Sequence, residues 1–316
     1  MQQNVQDIAA QTAELAKRHG AQEARVRVRR ERYVQFKRIE QALAQIEESG
    51  SMELNLSLFV DGRFSSHVTN DVRPEALETF LKNAVIMTRY LTPDPHRTLP
   101  ASELYQGYQP QDLRLVDAGY EAVDTDARAK LVLQLEQEVL KAGKPLSNLE
   151  TLSYDTVTEG ALVNTNGFSG YQRSTEFWTG IDLTADDREG RKATYGDYAG
   201  RRMRQDLPTP AELATRTLER LLLSMGAHPI KTRRLPMVVE NRVAGRLVGM
   251  LLEPMSGSAL QQRQSFLEGK QGQSIASPVL TVIDDPFVSG AMGSILYDPE
   301  GIPTQRRVMI EKGVLK

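Results

Sequence analysis

Val5, Ile8, Ala9, Thr12, Leu15 and Ala16 recur at the spacing of one helical face, and Gly20 follows where a left-handed cap belongs. Residues 4–19 are therefore expected to form an amphipathic helix. From Arg25 the period changes to two, with Val26 and Val28 on one side and Arg25, Arg27 and Arg29 on the other, continuing raggedly to Phe36. The clearest strand has Met52, Leu54, Leu56, Leu58 and Val60 alternating with polar residues. Asp61-Gly62, a type I′ turn pair, then leads to a return strand near Phe64–Thr69. Pro74 opens a helix to about Leu91, with Leu77, Phe80, Leu81, Ala84 and Val85 inward.

Residues 92–119 hold Pro93, Pro95, Pro100 and Pro110 with little periodicity and read as a long irregular connection. A third helix is expected from Asp124 or Thr125 to Ala142, stopped by Gly143 and Pro145. Strands follow at Leu149–Tyr154, Thr156–Val163 and, after the Asn166-Gly167 turn, Tyr171–Leu183. The capping box Thr209-Pro-Ala-Glu212 starts another helix that Gly226 closes. Past a boundary at Pro229–Pro236, the pattern predicts a strand at Met237–Glu240, a helix over Arg242–Leu252, strands near Val279–Ile283 and Arg306–Ile310, and a turn at Lys312-Gly313. Val314-Leu315-Lys316 reads as the first residues of a return strand with unsatisfied ladder groups, as if the chain stops in mid-domain.

The chain has 316 residues, 40% hydrophobic and 25% charged, which excludes fibrous and disordered classes. Its 39 Lys and Arg against 41 Asp and Glu give a net charge of −2, so no global field draws it to nucleic acid or an anionic membrane. With no cysteine, disulfides, thiolate zinc sites and cysteine nucleophiles are excluded, and His19, His67, His96 and His228 are too scattered for a local metal motif. No apolar run approaches a membrane span and the start is polar, so a cytoplasmic protein without membrane attachment is expected.

Local chemistry is thin. Arg25, Arg27, Arg29, Arg30 and Arg32 could grip phosphates, but Glu31, Glu40, Glu47 and Glu48 can neutralise them on a solvated sheet face. Asp186-Asp187 and Asp284-Asp285 are paired carboxylates in turn-like settings. Ser256-Gly257-Ser258 lacks the Gly-x-Ser-x-Gly frame of a nucleophile elbow, and no glycine-rich nucleotide-binding frame occurs. These residues alone define an α+β protein of open function.

Several stretches together carry a resemblance. They are Phe59-Val-Asp-Gly-Arg63 with Thr69-Asn-Asp71, Val163-Asn-Thr-Asn-Gly167, Ser265-Phe-Leu267 with Gly269-Lys-Gln-Gly272, Ile283-Asp-Asp-Pro286, Gly293-Ser294 with Tyr297-Asp-Pro-Glu-Gly301, and Ile310-Glu-Lys-Gly-Val-Leu315. In this order they resemble the TldD/PmbA family of metallopeptidases, once described as modulators of DNA gyrase, and within it the TldE (PmbA) branch. Active members hold zinc with His-Glu-x-x-x-His on a helix plus a later cysteine, the glutamate serving as general base. Aligned through the flanking Gly-x-x-Leu runs, that motif falls on Glu253-Pro-Met-Ser-Gly-Ser258. Glu253 stands for the first histidine, Pro254 for the general base and Ser258 for the second histidine.

The resemblance implies an α+β fold: an antiparallel sheet with helices over residues 1–228, then over 229–316 the beginning of a β-rich, barrel-like C-terminal domain that is cut short. It implies a non-catalytic TldE-type subunit with no cofactor of its own, paired with a zinc-bearing TldD-type paralogue in a peptidase that degrades unfolded peptides and matures peptide precursors. Met255, Ser256 and Gly257 would contact partner or peptide. Two alternatives are a module binding DNA gyrase or nucleic acid through Arg25–Arg32, and an active metallopeptidase with atypical carboxylate ligands.

Overall fold

The first helix, α1 (Val5–Arg18), starts where the Asn4 side chain accepts the Gln6 amide at 3.1 Å. It ends on Lys17 and Arg18, and Gly20 at φ +100° turns the chain away. The computed structural model describes residues 4–108 and 111–316, which form two units: 4–227 with 286–304, and 228–285 with 305–316. In the first unit α1 is followed by β1 (Glu23–Ile39), β2 (Ala42–Val60), β3 (Arg63–Thr69), α2 (Pro74–Thr88), α3 (Thr125–Lys141), β4 (Asn148–Asn164), β5 (Ser169–Asp186), β6 (Lys192–Arg201) and α4 (Pro210–Ser224). The six strands make one antiparallel sheet in the order β3-β2-β1-β4-β5-β6.

Register decides which side is covered. Val26 pairs with Val163 and Leu56, and Val28 with Ala161 and Leu54, so these residues share a face, and α1 and α2 pack on it. Farther along the same face Leu149, Ile181 and Leu183 meet Leu135, Val139, Leu213 and Leu221 of α3 and α4. Each fully buried Leu or Val here contributes about 1.5–3 kcal/mol relative to exposure. The opposite face carries the polar partners of the alternation and is covered only in part, by the strap 286–304. Tyr297, Gly301 and their neighbours dock there on Phe168 and Gly170: a Cβ on Gly301, at φ +90°, would meet the buried Phe168 ring at 2.7 Å.

Several elements differ from expectation. Strand β2 begins ten residues before Met52, because Glu40 and Gln41, at φ 47° and 67°, form a two-residue hairpin turn without glycine. Buried Glu136 of α3 holds that turn, accepting the Gln41 amide at 2.9 Å and Arg38 Nε at 2.9 Å. Residues 149–163 lie in one continuous strand rather than two, and β6 is an addition. The connection 92–119 is irregular as expected but anchored by buried Leu99, Leu113 and Leu115; Pro110 lies outside the described residues.

The second unit holds α5 (Asn241–Leu252), α6 (Gly257–Gln261) and an antiparallel sheet of β7 (Val282–Asp284), β8 (Arg307–Glu311) and β9 (Val314–Leu315). Met237–Glu240 is not a strand: Val238 is 97% exposed and nothing pairs with it as a ladder among the described residues. The ladder groups expected to hang unpaired at the C-terminal strand are paired. Leu315 lies opposite Ile310 in register, and Lys316 N–H donates to Met309 O at 3.0 Å; on the other side the Leu315 carbonyl accepts Gly272 N–H at 2.8 Å and its N–H donates to Gln273 O at 3.0 Å. No closed barrel occurs among the described residues, and the whole is α+β, a large antiparallel sheet with helices.

Candidate functional site

Pro254 shapes the segment 253–258. It has no N–H to continue the ladder of α5 and its ring crowds the preceding turn, so the helix stops at Leu252 and a single tight turn, Glu253–Met255, follows. Ser256 is extended (φ −67°, ψ 143°), and its hydroxyl accepts the Ala259 amide at 3.2 Å to cap the short α6. The Ser256 and Ser258 hydroxyls lie 3.2 Å apart. Ser265 Oγ donates to the Pro254 carbonyl at 2.5 Å and accepts the Leu267 amide at 3.1 Å, so the Ser265-Phe-Leu267 stretch braces the turn. Glu253, Ser256, Gly257 and Ser258 are exposed, while Pro254 and Met255 are half-buried. The six positions are thus brought together, but on a broken helix instead of one face of a continuous one.

Other candidates separate. The arginine run alternates: Arg25, Arg27 and Arg29 lie on the strap side of the sheet, Arg30 and Arg32 on the helix side. Arg25 pairs with Glu300 at 3.0 Å, Arg29 with Glu31 at 2.5 Å, Arg30 with Glu159 at 3.2 Å and Arg32 with Glu48 at 2.8 Å. There is no single basic patch. Asp187 accepts the amides of Arg188 and Gly226, which hold its carboxyl below the usual range, and Asp285 pairs with Arg306 at 3.2 Å; both acid pairs serve turns.

Sequence spacing gave no hint of a polar and aromatic node on the strap side. Asn164 Nδ2 donates to Tyr105 Oη at 2.9 Å and to the Glu300 carbonyl at 2.7 Å. Tyr105, Tyr108 and Tyr297 surround the Phe168 ring at 5.0–5.6 Å. Burial pushes the Tyr297 hydroxyl up to about 12, so it stays neutral at physiological pH. This node fixes the Tyr297–Gly301 turn on the sheet. No helix among the described residues is long and apolar enough to cross a membrane.

Residues 119–225 match the PmbA/TldA metallopeptidase central domain and residues 232–316 the PmbA/TldA metallopeptidase C-terminal domain. A crystal structure from Bacteroides thetaiotaomicron, described as that of a candidate modulator of DNA gyrase, is 30% identical and superposes with a TM-score of 0.93 over 98% of this chain and 70% of that one. The chain belongs to the PmbA/TldD metallopeptidase family. Within it the chain fits the PmbA/TldE branch: the metalloprotease PmbA of Escherichia coli O157:H7 is 28% identical over 85% of this chain and 59% of that protein. TldE from Thermococcus kodakarensis, at 20% identity, shares the fold with a TM-score of 0.81 over 98% of this chain and 69% of that one. The chain spans about three fifths of the length of the curated relatives it matches.

The family implies zinc, and the donor chemistry at 253–258 does not fit it. One carboxylate, a proline and serine hydroxyls cannot replace two imidazoles.

Proposed function

We propose that this chain is a non-catalytic TldE-type subunit that works in the cytoplasm with a zinc-bearing TldD-type paralogue to cleave unfolded peptides and peptide precursors. The observation that carries the reading is the segment 253–258. Its ligand positions hold Glu253, Pro254 and Ser258, while the bracing bond from Ser265 to Pro254 keeps the local framework in place. A scaffold retained without its donors favours assembly over chemistry. The exposed apolar stripe of α5, Val243, Leu247 and Met250 at i, i+4 and i+7, supports the same reading, since such a helix face is stable in water only at a cost unless covered. Met255, Ser256 and Gly257 would then lie toward partner or peptide.

Elemental analysis of the dialysed protein tests the premise. The reading expects far less than one zinc per chain and no chelator-sensitive peptide cleavage by the chain alone. About one zinc per chain would overturn it.

A further inference from the structure

The strap side of the sheet holds a cleft of about 310 Å³. Ile295 and Tyr297 of the strap form one wall, and β1, β4 and β5 form the floor. On that floor Arg29 lies opposite Gly160, which in turn lies opposite Gln172, with Thr158 and Ser174 paired one step farther along. A Cβ at Gly160 would meet nothing closer than 4.0 Å, so the depth there is space without a side chain rather than crowding.

The charges around this space are almost all engaged. Arg25 and Arg29 have the carboxylate partners described above, Glu176 is paired with Arg202 at 3.0 Å, and one oxygen of Asp298 accepts the amides of Glu300 and Ile302 at 2.8 and 2.9 Å. Among the described residues Arg27 alone in the cleft has neither ion pair nor hydrogen bond from its guanidinium, and it stands at the Tyr297 wall. One unengaged guanidinium bordered by two carboxylates, Glu176 and Asp298, suits a monoanion. A dianionic phosphate or a polyphosphate strand would meet their repulsion.

Beyond Glu176 the same face continues as a row of aromatic rings. Tyr33 and Tyr154 lie 5.5 Å apart, and Tyr154 and Trp178 stack at 5.9 Å with an interplanar angle of 13°. Trp178 Nε1 lies 3.4 Å from Glu176 Oε2. From Arg27 to Tyr33 along β1 is roughly 20 Å, about six residues of extended chain.

We propose that this cleft binds a carboxylate of an extended peptide, Arg27 contacting the anion and the Tyr33–Tyr154–Trp178 row receiving apolar side chains about six residues away. The proposal rests on the peptide-handling reading above, but it concerns this chain alone. Trp178 is the only tryptophan and lies at the cleft's edge, so its fluorescence reports occupancy.

The test is titration of the 316-residue protein with an N-acetylated alanine and leucine hexapeptide ending in a free carboxylate. The same peptide as its C-terminal amide, that amide with one aspartate, and inorganic phosphate complete the set. The free acid should shift the emission saturably and the plain amide bind at least tenfold more weakly. Recovery with the aspartate amide assigns the carboxylate to a side chain as well as a terminus. Arg27→Gln should lose at least tenfold for the free acid and leave the amide unchanged, and Gly160→Ala, whose Cβ would meet nothing closer than 4.0 Å, should weaken binding of the free acid at an unaltered melting temperature. Equal binding of acid and amide, undiminished binding by Arg27→Gln, or displacement by equimolar phosphate would overturn the proposal. A peptide bound by a chain that pairs with no paralogue would leave this site standing and remove the subunit reading, so the two fail separately.

Discussion

Replacing Arg128 by methionine removes one half of the most enclosed ion pair in the sheet unit. Arg128 and Asp155 are 5% and 3% exposed; Nε and Nη2 donate to the two carboxylate oxygens at 2.6 and 2.9 Å, and Nη1 donates to the Val123 carbonyl. The guanidinium is held more basic than usual mainly by its hydrogen bonds to Asp155, against the cost of burial. In the variant a carboxylate is left buried and uncompensated, which costs about 3–5 kcal/mol. With a urea slope of about 3 kcal/mol per M, the midpoint should fall by about 1–1.7 M, followed through Trp178 fluorescence at unchanged slope. Arg128→Met with Asp155→Leu should recover nearly all of that loss, because the pair's own attraction roughly offsets its desolvation.

A loss under about 1 kcal/mol, or a double variant as unstable as the single, would refute the reasoning.

Three further outcomes are expected. Gly301→Ala should cost at least about 2 kcal/mol, combining the positive φ with the clash on Phe168, whereas Gly143→Ala, at φ +60° with open space around it, should cost about 1 kcal/mol; equal losses in urea melts would contradict the packing term. Glu40→Asn with Gln41→Gly should raise stability by about 1 kcal/mol by relieving two left-handed residues in the β1–β2 turn, and a lowered midpoint would count against that turn geometry. Burial lowers the His67 pKa below 6.5, so the unfolded chain takes up a proton the folded one resists. Stability should fall as pH drops below about 6.5, and His67→Gln should flatten that slope in urea titrations at pH 5 and 7.

What could be read along the chain depended on whether its cause was local. The capping box of α4 is complete, Thr209 and Glu212 exchanging bonds, because every group involved lies within four residues. The start of β2 was hidden because Glu40-Gln41 is no turn signature by itself; it is held by Glu136, 95 positions on in sequence. Strand β6 was hidden for another reason: its inward positions are Ala193, Tyr195, Asp197 and Ala199, small or polar but for Tyr195, with Asp197 buried and paired with Arg216, so only a weak hydrophobic alternation marks it. Met237–Glu240 shows the converse, an apolar run that finds no ladder. The assignment of Glu253, Pro254 and Ser258 to motif positions rests on the family resemblance alone, since by themselves they carry no chemistry. The cleft was not legible at all, because Arg29 and Gly160 become neighbours only through the register of β1 on β4.

The measurement that bears most directly on the subunit reading is co-expression with a His-Glu-x-x-x-His paralogue, purification through a tag on this chain, and cleavage of an unfolded peptide by each component and by the mixture. The account predicts that the paralogue co-purifies at one to one, brings the zinc with it, and cleaves at an appreciable rate only in the complex. A lasting complex needs an interface on the order of 2,000 Å² or more. A paralogue that does not co-purify, or that cleaves equally well without this chain, would contradict it.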